Sequence, residues 1–236
     1  MPNERPYVIC HMMSTIDGKV ASGIDGVDIL ADYFDLYTKT EDELKAKAWM
    51  CGRVTMQMFA EGVNTPLHPI EQGVGEQDFL VTKENNIMFG VDTKGMLRWK
   101  SNTITLSNVQ DPLQLVVIVT NTTPQEYLAY LQEKQISYLF AGEDEIDFSF
   151  LLQKIQTIFG IPKLLLEGGA LLNGSVMAAN AIDEISLLLT PLVANRSSCP
   201  SLFERTVQEE LQTKRFSLSS VQQTEKDCVW LRYKRN

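Results

Sequence analysis

Blocks of apolar and polar residues alternate along the chain and predict a strand–helix–strand order. Short apolar runs with few polar interruptions predict buried strands, for example at residues 7–10, 115–120 and 163–166. Between such runs apolar residues recur at helical spacing, most clearly from Asp147, a predicted N-cap, to a predicted stop at Gly160. Apolar strands separated by helices are typical of parallel sheets that are covered on both faces. The pattern therefore predicts an α/β fold with a mostly parallel central sheet and helices on both faces.

The same criteria predict the remaining elements. Further strands are predicted at residues 79–82, 97–99, 103–106, 138–141 and 185–190, and further helices at residues 32–49, from Thr55, from Thr123 to Lys134, and from Ala170. Thr123 and Glu126 have the spacing of a capping box. Segments 216–222 and 228–233 have no helical pattern between them and predict an antiparallel C-terminal hairpin at the sheet edge. No stretch resembles an interdomain linker, so residues 1–236 are predicted to form a single domain.

Composition and charge exclude several classes of protein. Of the 236 residues, 44% are hydrophobic and 22% are charged, which is typical of a globular chain and argues against disorder. The net charge of −9 disfavours a nucleic-acid partner, since binding a phosphate backbone depends on cationic groups. No apolar run approaches the ~20 residues of a membrane span, and the first residues lack the apolar core of a signal peptide. The four cysteines and two histidines show no metal-ligand spacing, so we expect no metal site, reduced cysteines and a cytoplasmic location.

Three strand ends carry residues suited to ligand binding, and the first is the turn Ser14-Thr-Ile-Asp17-Gly-Lys19. Ser14 and Asp17 emerge at the carboxyl end of a strand, which is the edge where open α/β sheets bind ligands. A turn in which Asp17 only satisfies nearby amides explains the same spacing. His11, at the end of the preceding apolar run, is expected to be a buried imidazole with its hydrogen bonds satisfied.

The second strand end, Gly52-Arg53-Val-Thr55, joins a strand to a helix. Gly52 permits close approach of a ligand, Thr55 can cap the helix, and Arg53 offers a donor fork that suits a phosphate monoester. A capped helix with a solvated arginine is the alternative interpretation.

The third strand end, Leu166-Glu167-Gly168-Gly169, places two glycines between a strand and a helix. Such glycines let a diphosphate approach the backbone at the positive end of the helix, although tight packing explains them equally well. The segment is not the G-x-G-x-x-G fingerprint of dinucleotide-binding domains, which the chain lacks.

Taken in order, these motifs resemble one known family. The S-x-x-D-G-K turn, the G-R-x-T junction, the E-G-G turn and the later Asp183-Glu184 pair follow the order of the reductase domain of the bifunctional riboflavin-biosynthesis deaminase–reductase, a relative of dihydrofolate reductase. The resemblance covers residues 5–204. The zinc signature of the deaminase half is absent, so the chain resembles a stand-alone reductase. The resemblance implies a dihydrofolate reductase-like fold, NADPH as hydride donor and a homodimer.

The resemblance also implies the reaction and a role for each motif. The family reduces the ribosyl group of 5-amino-6-(5-phosphoribosylamino)uracil to a ribityl chain, with hydride transfer to C1 of the open-chain imine. Ser14, Asp17 and Lys19 would border the substrate and the nicotinamide, and Asp17 would orient the substrate or assist proton movement. The implied cofactor-binding residues are Gly52, Arg53 and Thr55 for the adenosine 2′-phosphate side, and Glu167, Gly168 and Gly169 for the diphosphate.

One departure from the family pattern concerns the loop after the second motif. The family carries an arginine there that helps to hold the substrate phosphate, whereas residues 61–70 contain none. Lys19, His68 or Arg196 could replace it, and the sequence does not choose among them. Two other functions stay open: an NADPH reductase of dihydrofolate or another small heterocycle, and a nucleotide-binding module without turnover.

Overall fold

A computed structural model describes residues 4–20, 29–81, 83–84, 86–106, 108–205 and 213–236. The strands are β1 (Tyr7–Ser14), β2 (Ala48–Gly52), β3 (Ala60–Val63), β4 (Ile87–Val91), β5 (Leu97–Trp99), β6 (Thr103–Ile104), β7 (Leu113–Val119), β8 (Ser137–Phe140), β9 (Lys163–Leu166), β10 (Glu184–Leu189), β11 (Phe216–Gln223) and β12 (Val229–Arg235). The α-helices are α1 (Ile29–Leu44), α2 (Arg53–Met56), α3 (Gln125–Glu133), α4 (Phe148–Phe159) and α5 (Ala170–Ala178).

The backbone divides into two compact units that interleave in sequence. The first unit holds the described residues up to Pro6 together with residues 47–164, and the second holds residues 7–46 and 165–236. The chain passes from the first unit to the second within β9. The single domain expected for residues 1–236 stays a prediction.

A mainly parallel sheet forms the centre of the first unit. β4 pairs in parallel with both β2 and β7, β7 also pairs in parallel with β8, and the short β6 pairs antiparallel with β7. β3 and β5 form a separate antiparallel pair. Helix α4 begins as the sequence predicts, because the Asp147 side chain accepts a hydrogen bond from the Phe150 N–H at 3.0 Å. It ends at Gly160, whose left-handed φ of 61° suits a glycine.

The sheet of the second unit combines parallel and antiparallel pairing. β1 pairs in parallel with β10, β10 pairs antiparallel with β12, and β12 pairs antiparallel with β11. The C-terminal hairpin expected from the sequence is therefore confirmed, as is the α/β class with a mostly parallel sheet. Helix α1 lies against one face of this sheet, where the Tyr37 ring stacks on the His11 ring at 4.3 Å between centroids.

Several element boundaries differ from the sequence predictions. The helix expected at 32–49 spans Ile29–Leu44, since residues 48–52 form the fully buried strand β2. The strand β4 is not predicted, and the segment expected at 79–82 shows only an isolated bridge at Phe79, with Thr82 outside the described residues. The capping box is wrong: α3 starts after Pro124, and the Thr123 hydroxyl donates to the Thr93 carbonyl at 2.8 Å.

Among the described residues, none of the helices has both the length and the apolar character to cross a membrane.

Candidate functional site

The Asp17 carboxylate closes the turn that follows β1. Its Oδ1 accepts hydrogen bonds from Thr15 Oγ1 at 2.6 Å and from the Ala194 N–H at 3.0 Å, and its Oδ2 accepts one from the Asn195 N–H at 2.9 Å. The Thr15 bond first, and then the backbone bonds, lower the pKa of Asp17 to about 2, so the side chain is an anion at neutral pH. Asp17 therefore ties the turn to the loop after β10 and cannot serve as a proton donor at neutral pH.

Ser14 and Lys19 stand at the two ends of the same turn in the chain. Ser14 is buried, its hydroxyl donates to the Thr15 carbonyl at 3.2 Å, and its own carbonyl accepts from the Thr190 N–H at 2.8 Å. Lys19 is half-buried and forms an isolated bridge with Ser201. Because Arg196 directly follows the residue whose N–H binds Asp17, its backbone also lies beside this turn.

The E-G-G turn leads from β9 into α5. Gly168 has a φ of +88°, a conformation that favours glycine, and the Gly168–Gly169 peptide bond is cis. Gly169 is the N-cap of α5, no side chain caps the helix, and the Asn173 N–H donates to the Gly169 carbonyl at 3.0 Å. The N–H groups before that bond have no acceptor within the helix, so the turn presents backbone donors that suit an anionic group.

The Glu167 side chain is directed into the protein, while its backbone belongs to the turn. Burial first, and then the negative charge of Glu41, raise the pKa of the Glu167 carboxyl well above its usual range. Glu41 is itself only 5% exposed. The Tyr37 hydroxyl donates to the His11 carbonyl at 2.9 Å and also bonds with Glu167, and its bond with Glu167 lowers this pKa in part. Burial and the charge of Glu41 outweigh the bond, so the pKa of the Glu167 carboxyl stays raised.

His11 is the buried, satisfied imidazole that the sequence predicts. Its Nδ1 lies 3.0 Å from Ser186 Oγ, which also accepts a hydrogen bond from Trp230 Nε1 at 2.8 Å. Burial lowers the pKa of His11 to about 4, so the ring is neutral at neutral pH. It therefore stabilises the packing between α1 and the sheet.

Gly52, Arg53 and Thr55 belong to the first unit. Gly52 ends β2 and is the N-cap of α2, and no side chain caps this four-residue helix. The expectation that Thr55 caps a helix is wrong, because the chain becomes helical two residues earlier, at Arg53. Arg53 and Thr55 are both half-buried, whereas Val54 between them is 66% exposed.

The loop that lacks the family's arginine is held by another arginine, Arg98 on β5. Its Nε donates to the Thr65 carbonyl at 2.8 Å, its Nη2 donates to the same oxygen, and its side chain lies over the rings of Tyr127 and Tyr130. The residue is only 8% exposed. Arg98 therefore fixes the loop and does not replace the missing phosphate ligand, whereas His68 in the same loop is exposed.

Glu41 is not among the site residues that the sequence predicts, because the charged run at 41–47 is most simply interpreted as a solvated helix face. A signal was present, since Glu41 lies at helical spacing from Tyr37 and Leu44, which face the interior. Across the described ranges, no group of three or more His, Cys, Asp or Glu side chains is arranged to hold a metal ion.

Comparison with solved structures defines the class of fold. A pyrimidine reductase-like protein from Corynebacterium diphtheriae superimposes with a TM-score of 0.66 at 15% identity, over 98% of this chain and 92% of that one. The Saccharomyces riboflavin biosynthesis reductase Rib7 superimposes with a TM-score of 0.62 at 15% identity, over 99% and 91% of the two chains. The protein therefore has the α/β fold of the pyrimidine reductases.

The family follows from the sequence match. Residues 6–230 match the RibD C-terminal domain, and the chain belongs to that family. A curated relative from Methanothermobacter thermautotrophicus is 27% identical over 85% of this chain and 84% of its own, and one from Aquifex aeolicus is 23% identical over 84% and 83%. Both are named 2,5-diamino-6-ribosylamino-4(3H)-pyrimidinone 5′-phosphate reductase. The resemblance and the reductase class predicted from the sequence are thereby confirmed.

Proposed function

We propose that this protein is an NADPH-dependent reductase of riboflavin biosynthesis. It would convert the ribosyl group of a phosphorylated ribosylaminopyrimidine into a ribityl chain. The observation that carries the proposal is the family match over residues 6–230, supported by reductases that align with 85% and 84% of the chain. The pyrimidine is 2,5-diamino-6-ribosylamino-4(3H)-pyrimidinone 5′-phosphate, as in the names of those relatives, or 5-amino-6-(5-phosphoribosylamino)uracil, as the sequence resemblance implies.

The family resemblance implies a reduced dinucleotide, which when bound supplies a hydride to C1 of the ribosyl imine. In the second unit, the glycine turn and the uncapped start of α5 suit the diphosphate, with Gly168 and Gly169 offering backbone rather than side-chain contacts. Glu167 supports this turn from the interior side. In the first unit, Gly52, Arg53 and Thr55 are proposed to hold the 2′-phosphate of the adenosine.

The turn after β1 is proposed to border the substrate, through Ser14, Asp17 and Lys19. Asp17 is ionised and fixed by three hydrogen bonds, so its contribution is to orient the turn and its polar neighbours. Reduction of the imine also consumes one proton at nitrogen. That proton comes from another donor, since the low pKa of Asp17 excludes this group near neutral pH.

A homodimer and a cytoplasmic location belong to the same proposal. The homodimer is implied by the family resemblance. A cytoplasmic location suits an enzyme that draws on NADPH, and it agrees with four cysteines that are all free thiols.

The decisive experiment follows NADPH absorbance with the purified chain and each of the two pyrimidine phosphates in turn. We expect oxidation of NADPH with at least one of them and recovery of the ribityl product by mass spectrometry. Parallel assays with NADH and with dihydrofolate complete the design. Oxidation with dihydrofolate alone would favour the folate reaction, and NADPH binding without turnover on any substrate would favour a nucleotide-binding module.

A further inference from the structure

A segment of the second unit, residues 194–204, connects the acidic turn after β1 with the start of α5, and we call it the strap. At its first end, the Asp17 carboxylate accepts hydrogen bonds from two backbone N–H groups of the strap. At its last residue, the Glu204 N–H donates to the carbonyl of Ala170, the first residue of α5, at 3.0 Å. The strap therefore contacts both the acidic turn and the helix that follows the glycine turn.

The middle of the strap pairs with the backbone of Lys19 and Val20. The Val20 N–H donates to the Pro200 carbonyl at 3.0 Å, and Lys19 forms an antiparallel bridge with Ser201. Lys19 is also bonded within its own turn, since its N–H donates to Thr15 Oγ1 at 3.0 Å. The position of the Lys19 backbone therefore depends on the strap as well as on the turn.

The last part of the strap packs closely against α5. The Asn173 side chain donates to the Leu202 carbonyl at 3.1 Å. A Cβ added at Gly174 would lie only 1.9 Å from the Glu204 carbonyl oxygen, so a glycine is needed for the strap to come this close. Glycine is unfavourable inside a helix, and this contact explains its presence in α5. The strap is therefore held in one position on the helix.

The Glu204 side chain closes a turn at this end of the strap. Its Oε1 accepts a hydrogen bond from the Ser201 N–H at 2.8 Å and lies 2.8 Å from Ser201 Oγ. The bond from the Ser201 N–H first, then the bond from its hydroxyl and, more weakly, the positive charge of Lys19 lower the pKa of Glu204. Glu204 is therefore an anion at neutral pH, and it binds the residue that pairs with Lys19 while its charge attracts Lys19 itself.

We propose that Glu204 is a positioning residue for Lys19. Its carboxylate fixes Ser201, Ser201 fixes the Lys19 backbone, and the opposite charges favour one orientation of the Lys19 side chain. The substrate then binds an ammonium group that is already oriented, so less conformational freedom is lost on binding. This inference rests on the proposed function in one respect, which is that Lys19 borders the substrate.

Arg196, on the same strap, provides an internal comparison. It directly follows a residue whose N–H binds Asp17, whereas the Glu204 side chain acts at the opposite end of the strap. Loss of the Glu204 carboxylate should therefore displace Lys19 and leave the Arg196 end in place. An effect transmitted through Lys19 can thus be distinguished from a general loss of the strap.

The first test needs no substrate and follows hydrogen exchange of the full chain by mass spectrometry. We expect Glu204→Ala to speed the exchange of the Val20 and Ser201 amides at least about tenfold, because both bonds depend on the closed turn. Glu204→Gln should exchange nearly as wild type, since its amide oxygen still accepts from the Ser201 N–H. Glu145→Ala, at an exposed position of the first unit, is the matched control and should change neither amide.

The second test is steady-state kinetics with NADPH and the pyrimidine phosphate. We expect Glu204→Ala to raise the KM for the pyrimidine phosphate roughly 5- to 20-fold and to leave the KM for NADPH unchanged. Lys19→Met should have an effect of similar size, and the double variant should be no worse than Lys19→Met, because Glu204 acts through Lys19. Combined with Arg196→Ala, the effect of Glu204→Ala should persist in full.

Two results would overturn the proposal. One is unaltered exchange of both amides in Glu204→Ala, and the other is a double variant with Lys19→Met whose KM rises by the product of the two single effects. A wild type that reduces neither pyrimidine phosphate would instead contradict the proposed function. The exchange measurement would then decide alone whether Glu204 fixes Lys19.

Discussion

Two single carboxyl groups of the second unit have pKa values displaced in opposite directions. Hydrogen bonds lower the pKa of the exposed Asp17 to about 2, whereas burial raises the pKa of Glu167 well above its usual range. An acid with a lowered pKa stabilises the fold when ionised, and this contribution disappears as pH falls toward the folded value. An acid with a raised pKa destabilises the fold as pH rises above the pKa that the group has in the unfolded chain. The two groups therefore act in different pH ranges.

For Asp17, we expect Asp17→Asn to lower the melting temperature at pH 7 by roughly 2–6 °C. The variant loses the negative charge. Its amide NH₂ is a donor, so it stands in place of one of the two carboxylate oxygens that accept a backbone N–H in the wild type. The ionised form contributes fully above the ordinary value of 3.8 and is lost as pH falls toward 2. The difference between wild type and variant should therefore shrink as pH falls from about 4 toward 2, in thermal unfolding followed by circular dichroism.

The control for this substitution is Asp144→Asn, which changes an exposed carboxylate of the first unit and should leave the melting temperature unaltered. Equal melting temperatures for Asp17→Asn and wild type at pH 7 would show that the carboxylate does not hold the turn.

For Glu167, we expect Glu167→Gln to remove a pH-dependent loss of stability. Ionisation of the buried carboxyl beside Glu41 costs free energy, so the wild type should become less stable as pH rises above 4.5, the ordinary value for this group. Glutamine has nearly the shape of the protonated acid and does not ionise. The variant should therefore melt a few degrees above wild type at pH 8 and close to it at pH 5.

His11 titrates in part of the same pH range, but its effect on stability is the same in wild type and in Glu167→Gln and so cancels in their difference. Its lowered pKa makes the fold lose stability as pH falls from 6.5 toward 4, equally in wild type and variant. Cys10, the other titratable neighbour of Glu167, has a pKa raised by burial and stays a thiol throughout. Glu43→Gln, at an exposed position of α1, is the matched control. A Glu167→Gln variant that is less stable than wild type at pH 8 would show that the ionised carboxylate is the favoured form.

At the scale of elements, the sequence predicted correctly the helix ends that are set by residues of the same helix. Asp147 and Gly160 bound α4 as expected, because both act through bonds within their own helix. Thr123 has an equally good capping pattern, yet its hydroxyl bonds with Thr93, a partner that spacing cannot reveal. The strand β4 escaped prediction because Gly90 interrupts its apolar run. The glycine is explained by Trp99, whose Cη2 would lie 3.1 Å from an added Cβ.

The candidate site likewise has features that the sequence shows and contacts that only the folded structure shows. The sequence indicated the two glycine-containing turns and the acidic turn after β1, since each joins a strand to the next segment within a few residues. It could not indicate that Glu167 meets Glu41, because these residues are far apart in the chain and only the packing of α1 brings them together. The bonds from Asp17 to residues 194 and 195 were hidden for the same reason.

Those bonds place the loop after β10 beside the acidic turn. Asp17 fixes residues 194 and 195, and the exposed Arg196 follows them directly. Of the three cations considered for the substrate phosphate, Arg196 and Lys19 thus lie beside the acidic turn, whereas His68 lies in an exposed loop of the first unit. We favour Arg196, because its planar guanidinium can bind two phosphate oxygens at once.

We therefore expect Arg196→Ala to raise the KM for the phosphorylated pyrimidine roughly 10- to 100-fold, as the loss of a charged hydrogen bond of about 1.5–3 kcal/mol requires. The KM for NADPH should not change. Steady-state kinetics measures both, with His68→Ala as the control that should retain wild-type values. If the wild type turns over and Arg196→Ala has an unaltered KM, the phosphate is held elsewhere while the proposed reaction stands.

At the scale of the whole molecule, net charge bears on the homodimer that the family resemblance implies. Each copy carries a net charge of −9, so two copies repel one another at long range. Exposed ion pairs at the rim of a contact contribute only about 0–1 kcal/mol each. Repulsion between the copies should therefore dominate the response of a dimer to salt.

This balance predicts that added salt strengthens the homodimer. The screening length falls from about 30 Å at 0.01 M to about 10 Å at 0.1 M, which weakens the repulsion between two negative copies and leaves apolar contacts intact. We expect the dimer dissociation constant to fall roughly three- to tenfold between 10 mM and 150 mM sodium chloride. Sedimentation equilibrium at the two salt concentrations measures the change. A dimer held mainly by ion pairs would instead dissociate as salt is added, and that result would assign the contact to charged groups.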